Sequence, residues 1–277
     1  MKERFRVMSK KKTVGKCALC KKKNIELRNS HIVPRLVYQR IKSHPNTRFR
    51  NIFSIKDIYQ DGEKKPMLCA ECEKFFNNYE TTYANKILDS QNKIKKIDYD
   101  TNQYIFSLNW RVLYDDLYVL NSLEKMNDTI KETFISYEKI LNTYLNNLKN
   151  NQVPIITKEI KNFVFFFEDL NIPQELIQQC SSNVCGYSFV TKEYDKFIII
   201  TMYLGMAICT VYTPKNLLII NPNKTLKEII FKKSIKKTIE EEVNYTTRRV
   251  IQQQSKNLKE MKETGLYEKI KDRYRDK

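Results

Sequence analysis

The chain has 277 residues, of which 41% are hydrophobic, so it can bury the core of one large domain or of two ordinary ones. Its formal net charge of +18 attracts polyanions, nucleic acid first and an anionic membrane second, although a compositional bias toward lysine is an alternative explanation. The five glycines form neither GxGxxG nor GxxxxGK[ST], which excludes a Rossmann dinucleotide site and a P-loop. No apolar segment follows the basic N-terminus and no apolar run is long enough to span a bilayer, so we expect a cytoplasmic protein without a membrane partner.

A basic leader, residues 1–16, begins the chain, and its lysines continue past the first cysteines. Such cations favour the thiolate form of nearby cysteines and neutralise the phosphates of a bound backbone, whereas the alternative is a solvated tail. These lysines and one arginine further along the chain are the predicted nucleic-acid contacts. They are Lys10, Lys11, Lys12, Lys16, Lys21, Lys22, Lys23 and Arg35.

Seven cysteines are present, and four of them form two Cys-x-x-Cys pairs, Cys17 with Cys20 and Cys69 with Cys72. An odd count with this pairing argues against a secreted disulfide framework and for a reducing compartment. Four thiolates in two such pairs close a tetrahedral zinc site. The sequence therefore predicts a structural zinc bound by these four residues, and it predicts that the other three cysteines are buried free thiols.

The segment between and after the pairs predicts a compact finger over residues 17–88. A strand is expected over Ile25–Val33, a short helix after Pro34 and a turn at residues 60–63. A helix then begins at the second cysteine pair. Its apolar face is formed by Phe75, Phe76, Tyr79, Tyr83 and Ile87, and a polar stripe at the edge of that face by Glu73, Asn77 and Glu80.

A polar linker is predicted at residues 89–103, followed by an α+β domain over residues 104–277. Helical spacing predicts a hairpin of two helices around 106–120 and 130–148, with Trp110 in its core and Arg111 as a cation reaching out to solvent. Strands are then predicted at 187–191, 196–203, 207–212 and 217–220, which favours a small antiparallel sheet. The C-terminal helices are expected to break near Val243–Asn244 and at Gly265. The fold class is therefore α+β: an N-terminal zinc finger, then a mostly helical region with a small antiparallel sheet.

The order Cys-x-x-Cys, then Ser30-His31-Ile32-Val33-Pro34, then Leu-Cys-x-x-Cys-Glu resembles the HNH endonuclease family in its zinc-bearing, treble-clef (ββα-metal) form, over about residues 17–80. The resemblance implies that His31 is the general base that takes a proton from the attacking water. Glu73 matches the last His or Asn of the family and would hold a catalytic Mg²⁺ or Mn²⁺. Ser30 stands where the family has a metal-binding Asp or His. The family's middle Asn has no clear match in this sequence. The residues nearest its expected place are Asp61, which would be a second metal ligand, and Gln60.

The residues leave other roles open. His31 could be a further zinc ligand or a packing histidine, and Glu73 could simply be an acid that interacts with the helix dipole.

The resulting hypothesis is a metal-dependent HNH-like endonuclease that hydrolyses phosphodiester bonds in DNA, with RNA as the alternative nucleic-acid partner. The resemblance also implies a role in phage defence or in a mobile element, and the C-terminal domain would select the target, a partner protein or a second copy of the chain. The first alternative is a non-catalytic zinc-finger regulator that binds nucleic acid. A third hypothesis is a signal-sensing regulator whose C-terminal sheet binds a small ligand.

Overall fold

The computed structural model describes residues 12–42, 48–52, 54, 57–88, 97–120, 126–214 and 224–268. Its helices α1 to α6 span Arg35–Ile41, Ala70–Tyr83, Tyr99–Tyr118, Asp128–Lys149, Gln174–Ser181 and Lys224–Glu263. Its strands β1 to β9 span Thr13–Gly15, Ile25–His31, Phe49–Arg50, Ile58–Tyr59, Lys64–Cys69, Ile160–Phe166, Cys185–Val190, Phe197–Tyr203 and Met206–Tyr212. A π-helical turn, Ala84–Leu88, extends α2, and a 3₁₀ turn, Phe167–Asp169, follows β6.

The N-terminal sheet is antiparallel, with the order β1-β2-β5. Leu27 pairs with Cys69 and His31 pairs with Lys64, so β2 ends beside the start of β5. The predicted strand is confirmed, although it ends at His31 because the chain bends at Ile32 and Val33 before Pro34. This sheet places the end of β5, and with it the start of α2, against the first cysteine pair.

The turn predicted at residues 60–63 is confirmed, and it depends on glycine. Gly62 has a φ of +92°, and a Cβ atom there would lie 2.1 Å from the ring of Tyr38. A side chain would therefore be strained and would collide with a buried ring. The turn brings β5 back along β2.

Helix α2 buries the apolar face that the sequence predicts, with Phe76 and Tyr83 almost fully enclosed. It packs against α3, whose Trp110 ring lies 5.8 Å from the ring of Phe76. Trp110 is fully buried, and its indole N–H donates to Glu138 Oε1 of α4 at 2.8 Å. Trp110 thus joins the core shared by α2, α3 and α4, as its helical spacing predicts.

Helix α3 begins at Tyr99, inside the predicted linker, so residues 99–103 are helical rather than irregular. The reason is an N-cap: Asp98 accepts a hydrogen bond from the Thr101 backbone N–H at 2.8 Å. The rest of the linker prediction, residues 89–96, lies outside the described residues.

A four-stranded antiparallel sheet with the order β6-β9-β8-β7 forms the centre of the C-terminal region. Strands β7, β8 and β9 confirm three predicted strands, and β6 is a further strand that was not among those predicted. The strand predicted at 217–220 lies outside the described residues. Helix α3 packs on this sheet. Helix α6 contributes Ile235, Ile239 and Val243 to a separate cluster with β8 residues such as Ile198.

The break predicted near Val243–Asn244 is wrong, because α6 continues through it to Glu263. Val243 lies four residues after Ile239 on the buried face, and the Asn244 side chain donates to the Glu240 carbonyl at 2.9 Å. Both contacts support a continuous helix there. The predicted break at Gly265 is confirmed: its φ is +68°, and the chain is helical again at residues 266–268. Within the described ranges, no helix combines the length and the hydropathy that crossing a bilayer requires.

Candidate metal centre and adjoining cleft

The four cysteines of the two pairs converge on one point. Their Sγ atoms all lie within 4.8 Å of one another, and Cys20 Sγ is 3.8 Å from Cys69 Sγ. Sulfurs at about 2.3 Å from a central zinc lie about 3.8 Å apart at the corners of a tetrahedron. This donor set therefore fits a structural zinc ion, and it forms the candidate metal centre of the N-terminal region.

The electrostatics of the cluster favour a cation. The Cys72 thiol donates a hydrogen bond that lowers the pKa of Cys17 to about 4, and the Cys69 backbone N–H donates to Cys17 Sγ at 3.3 Å. The pKa of Cys72 is raised, first by this hydrogen bond to Cys17 and second by burial. Burial is also the largest cause of the raised pKa of Cys20. Protein groups alone therefore stabilise one thiolate, and a bound cation is needed to stabilise all four.

The first cysteine pair is fixed by α4 as well as by the sheet. The Asn142 side-chain amide donates to the Ala18 carbonyl at 3.2 Å, and that of Asn146 donates to the Leu19 carbonyl at 2.8 Å. Lys21 follows the pair with a φ of +59°, which turns the chain back on itself. The knuckle thus has fixed backbone partners outside its own hairpin.

A cleft of about 470 Å³ adjoins the metal centre between β2 and α2. Glu73 directly follows Cys72. A metal ion at the candidate centre would therefore fix the first turn of the helix that forms one wall of the cleft. Glu73, Asn77 and Glu80 repeat at helical spacing along this wall. The lining consists of Arg28, Asn29, His31, Arg35, Ala70, Glu73, Lys74, Asn77, Glu80 and Arg111.

His31 lines the cleft in a half-buried position. Its pKa is lowered to about 4, chiefly by burial and then by the positive charges of Lys64 and Arg111. Its Nε2 atom is enclosed and has no hydrogen-bond partner among the described residues. The imidazole is therefore neutral at physiological pH and keeps a lone pair for a proton.

Glu73 contacts Ser30, the residue that directly precedes His31 in the chain. The Ser30 hydroxyl donates to Glu73 Oε2 at 2.6 Å, and Ser30 is fully buried. Glu73 also lies in the first turn of α2, where its charge interacts favourably with the helix dipole. The structure thus brings together two of the predicted site residues, His31 and Glu73, and shows that Ser30 orients the carboxylate.

Arg111 differs from its predicted position, because its head group is enclosed rather than extended to solvent. Its side chain is 2% exposed, and it donates to Glu80 Oε1 at 2.7 Å and to the His31 carbonyl at 3.0 Å. The prediction of a solvent-reaching cation is therefore wrong. The partly buried carboxylate of Glu80 explains the difference, since it compensates the desolvated guanidinium.

Asp61 lies among cations and is not part of the cleft lining. Lys42 donates to Asp61 Oδ1 at 2.7 Å, and nitrogens of Arg35 and Lys64 lie 3.4 and 3.9 Å from its Oδ2. The hydrogen bond from Lys42 is the largest cause of its lowered pKa. Gln60 is exposed in the turn and lies outside the cleft lining too. Neither residue is brought to Glu73, because the turn directs Asp61 toward α1.

Of the predicted nucleic-acid contacts, Arg35 lines the cleft, whereas Lys12 and Lys22 pair with Glu26 and Glu71 on the surface. Lys21 lies over the Tyr114 ring, 5.6 Å from its centroid. The exposed residues Lys16 and Lys23 flank the first cysteine pair, and Lys10 and Lys11 lie outside the described residues.

The sequence prediction omits the cations Arg28 and Lys74 and the amide of Asn77 from the site. The polar stripe on the second-pair helix already contains Asn77, so that residue could have been found by following the stripe from Glu73. Comparison of the chain with family models, with curated proteins and with solved structures gives no match.

Proposed function

We propose that the chain is a metal-dependent, HNH-like endonuclease that hydrolyses phosphodiester bonds of DNA, with a structural zinc at the four cysteines. The observation that carries the proposal is the neutral, half-buried His31, which lines the same cleft as the carboxylate of Glu73. The order of a cysteine knuckle, a hairpin and a helix with the second pair supports the resemblance to the treble-clef members of that family.

His31 supplies the base in this proposal. Phosphodiester hydrolysis needs a group that takes a proton from water, and the neutral imidazole of His31 in the cleft lining is such a group. The cations Arg28, Arg35 and Lys74 line the same cleft and would hold the phosphates that flank the scissile bond.

Glu73 and Asn77 are the residues that would hold a catalytic Mg²⁺ or Mn²⁺. Such an ion would stabilise the charge that develops on the phosphate oxygens. Both residues line the cleft one helical turn apart, and Mg²⁺ commonly binds through one or two carboxylates and completes its shell with water and substrate phosphate. Glu80 is engaged by Arg111, so we assign it no metal-binding role.

One observation favours the second candidate, a nucleic-acid-binding regulator without catalysis. Glu73 Oε2 already accepts a 2.6 Å hydrogen bond from Ser30, and among the described residues only the four cysteines form a cluster of three or more potential metal-ligating side chains. The basic residues that line the cleft would serve such a protein equally well.

A plasmid-nicking assay tests the proposal. Full-length zinc-bound protein with Mg²⁺ or Mn²⁺ is expected to nick supercoiled plasmid, and His31→Ala and Glu73→Gln are each expected to lower the rate about 100-fold or more. Matched controls are His44→Ala and Glu71→Gln; Glu71 is an exposed acid of the same first helical turn, paired with Lys22. Both controls should nick at the wild-type rate.

DNA binding, measured in parallel, separates the candidates. Tight binding of plasmid without any nicking by the wild type would favour the regulator. Nicking that His31→Ala leaves unchanged would show that the assignment of the base is wrong.

A further inference from the structure

Arg111 lies on α3, far along the chain from His31, yet its guanidinium lines the cleft. Nη1 donates to the His31 carbonyl at 3.0 Å, Nη2 donates to Glu80 Oε1 at 2.7 Å and Nε donates to the Ser107 carbonyl at 3.3 Å. The guanidinium carbon also lies 5.3 Å from the centroid of the Phe76 ring. One side chain thereby joins the end of β2, the middle of α2 and its own helix.

Stability alone does not account for this arrangement. A buried ion pair contributes little net stability, because the cost of removing both charges from water offsets their attraction. A further nitrogen of the Arg111 guanidinium binds the backbone carbonyl of His31, the residue whose Nε2 has no hydrogen-bond partner in the part of the chain that the structure describes. This contact occurs where the β2–β5 ladder ends, since His31 is the last paired residue of β2.

We propose that Arg111 is a positioning residue for His31: by spanning the His31 carbonyl and the Glu80 carboxylate, its guanidinium sets where the imidazole stands in the cleft. The inference rests on the proposed function, in which His31 is the base. A planar guanidinium holds two acceptors at a fixed separation, whereas the single ammonium nitrogen of lysine does not. Lysine therefore preserves the charge and removes the positioning.

The proposed site therefore includes a residue of α3, Arg111, which lies outside the cysteine-bearing segment. A shift of about 1 Å in a catalytic group costs about 100-fold in rate. Loss of the Arg111 contact therefore acts on turnover, while the cations that line the cleft continue to bind the substrate.

The test compares Arg111→Lys with a matched ion-pair variant on the same helix. Asp115 lies one turn after Arg111, is buried and accepts two hydrogen bonds from Lys65, at 2.7 and 2.8 Å. Its variant, Asp115→Asn, disturbs a similar pair without a side-chain contact to His31. Both are made in full-length zinc-bound protein carrying His44→Gln, so that His31 gives the only histidine ring signals in NMR spectra.

The expected result has two parts. Arg111→Lys lowers kcat for nicking of a labelled DNA duplex about 100-fold with KM within about twofold, and it shifts the His31 ring signals. Asp115→Asn leaves kcat and the ring signals as they are in the parent. If Arg111→Lys does not fold, Arg111→Gln combined with Glu80→Gln replaces it, because that double variant leaves no buried charge unpaired, and it should show the same loss and the same shift.

The inference is overturned if the Arg111 variants keep the parent kcat and ring signals, or if Asp115→Asn produces an equal loss. A parent protein that binds but never nicks the duplex would contradict the proposed function instead. The ring signals then still decide the role of Arg111: a shift in Arg111→Lys that is absent in Asp115→Asn supports positioning, and no shift refutes it.

Discussion

His31 is held neutral by its surroundings, and this has a consequence for stability as well as for chemistry. Burial is the largest cause of its low pKa of about 4. The positive charges of Lys64, Arg111 and Arg35 contribute to the lowering, and the negative charge of Asp61 opposes it. In the unfolded chain the same side chain has a pKa of about 6.5. Folding is therefore coupled to the release of a proton from this residue at mildly acidic pH.

We predict that His31 makes the protein less stable as the pH falls from about 6.5 to about 4. In this window the unfolded state binds the proton and the folded state does not, so the free energy of unfolding falls with falling pH and recovers above about 6.5. His31→Gln should lose less stability between pH 7 and pH 5 than the wild type. Urea unfolding followed by the fluorescence of Trp110, the single tryptophan, measures this.

The control for this prediction is the second histidine of the chain, in the variant His44→Gln. It should show the wild-type pH dependence. Weaker zinc binding in acid affects all three proteins alike, so the difference between variants isolates His31. Equal pH dependence in wild type and His31→Gln would show that the imidazole is not held neutral by folding.

At the scale of elements, α2 connects the metal centre to the cleft. Cys69 occupies its N-cap position, Cys72 lies in its first turn, and Glu73 follows directly. The first cysteine pair is in turn fixed to α4 through Asn142 and Asn146. A metal ion bound by the four cysteines would therefore fix the position of α2, and with it the residues of its polar stripe.

We predict that Cys72→Ala abolishes zinc binding and that Cys209→Ala does not. Both side chains are fully buried, but Cys209 lies in β9, away from the cluster. At free zinc a hundred times the dissociation constant, a bound ion stabilises the native state by about 2.7 kcal/mol, and Cys72→Ala should lose at least this much. Metal content by mass spectrometry and unfolding followed by Trp110 fluorescence provide the measurements.

Chelation of zinc from the wild type should shift the emission of Trp110, which packs in the same cluster as Cys17, Cys69 and Cys72. A purified Cys72→Ala protein that still holds one equivalent of zinc would contradict the assigned ligand set.

At the scale of the whole molecule, local signals predicted much of the fold. Two Cys-x-x-Cys pairs were enough to predict the cluster of four cysteines, and runs of strand-forming residues between turn residues predicted β7, β8 and β9. The helix of the second pair and its polar stripe were also predicted from periodicity. These features depend on residues close in sequence, where spacing fixes geometry.

What the sequence could not provide are contacts between distant segments. Arg111 looked like a surface-reaching cation because nothing near it in sequence shows that Glu80 lies opposite. Asp61 seemed available as a metal ligand because its ion pair with Lys42 forms only when α1 folds beside the turn. The continuous α6 likewise depends on packing of Val243 against the sheet.

The measurement that tests the central claim most directly is the position of two metals in one crystal. Crystals of full-length protein grown with manganese, with diffraction recorded near the zinc and manganese absorption edges, should show zinc among the four cysteine sulfurs and manganese in the cleft, bound to Glu73. Asp61 should bind no ion, because three cations surround it. Manganese at Asp61, or no manganese in the cleft when the cysteine site is filled, would contradict the account.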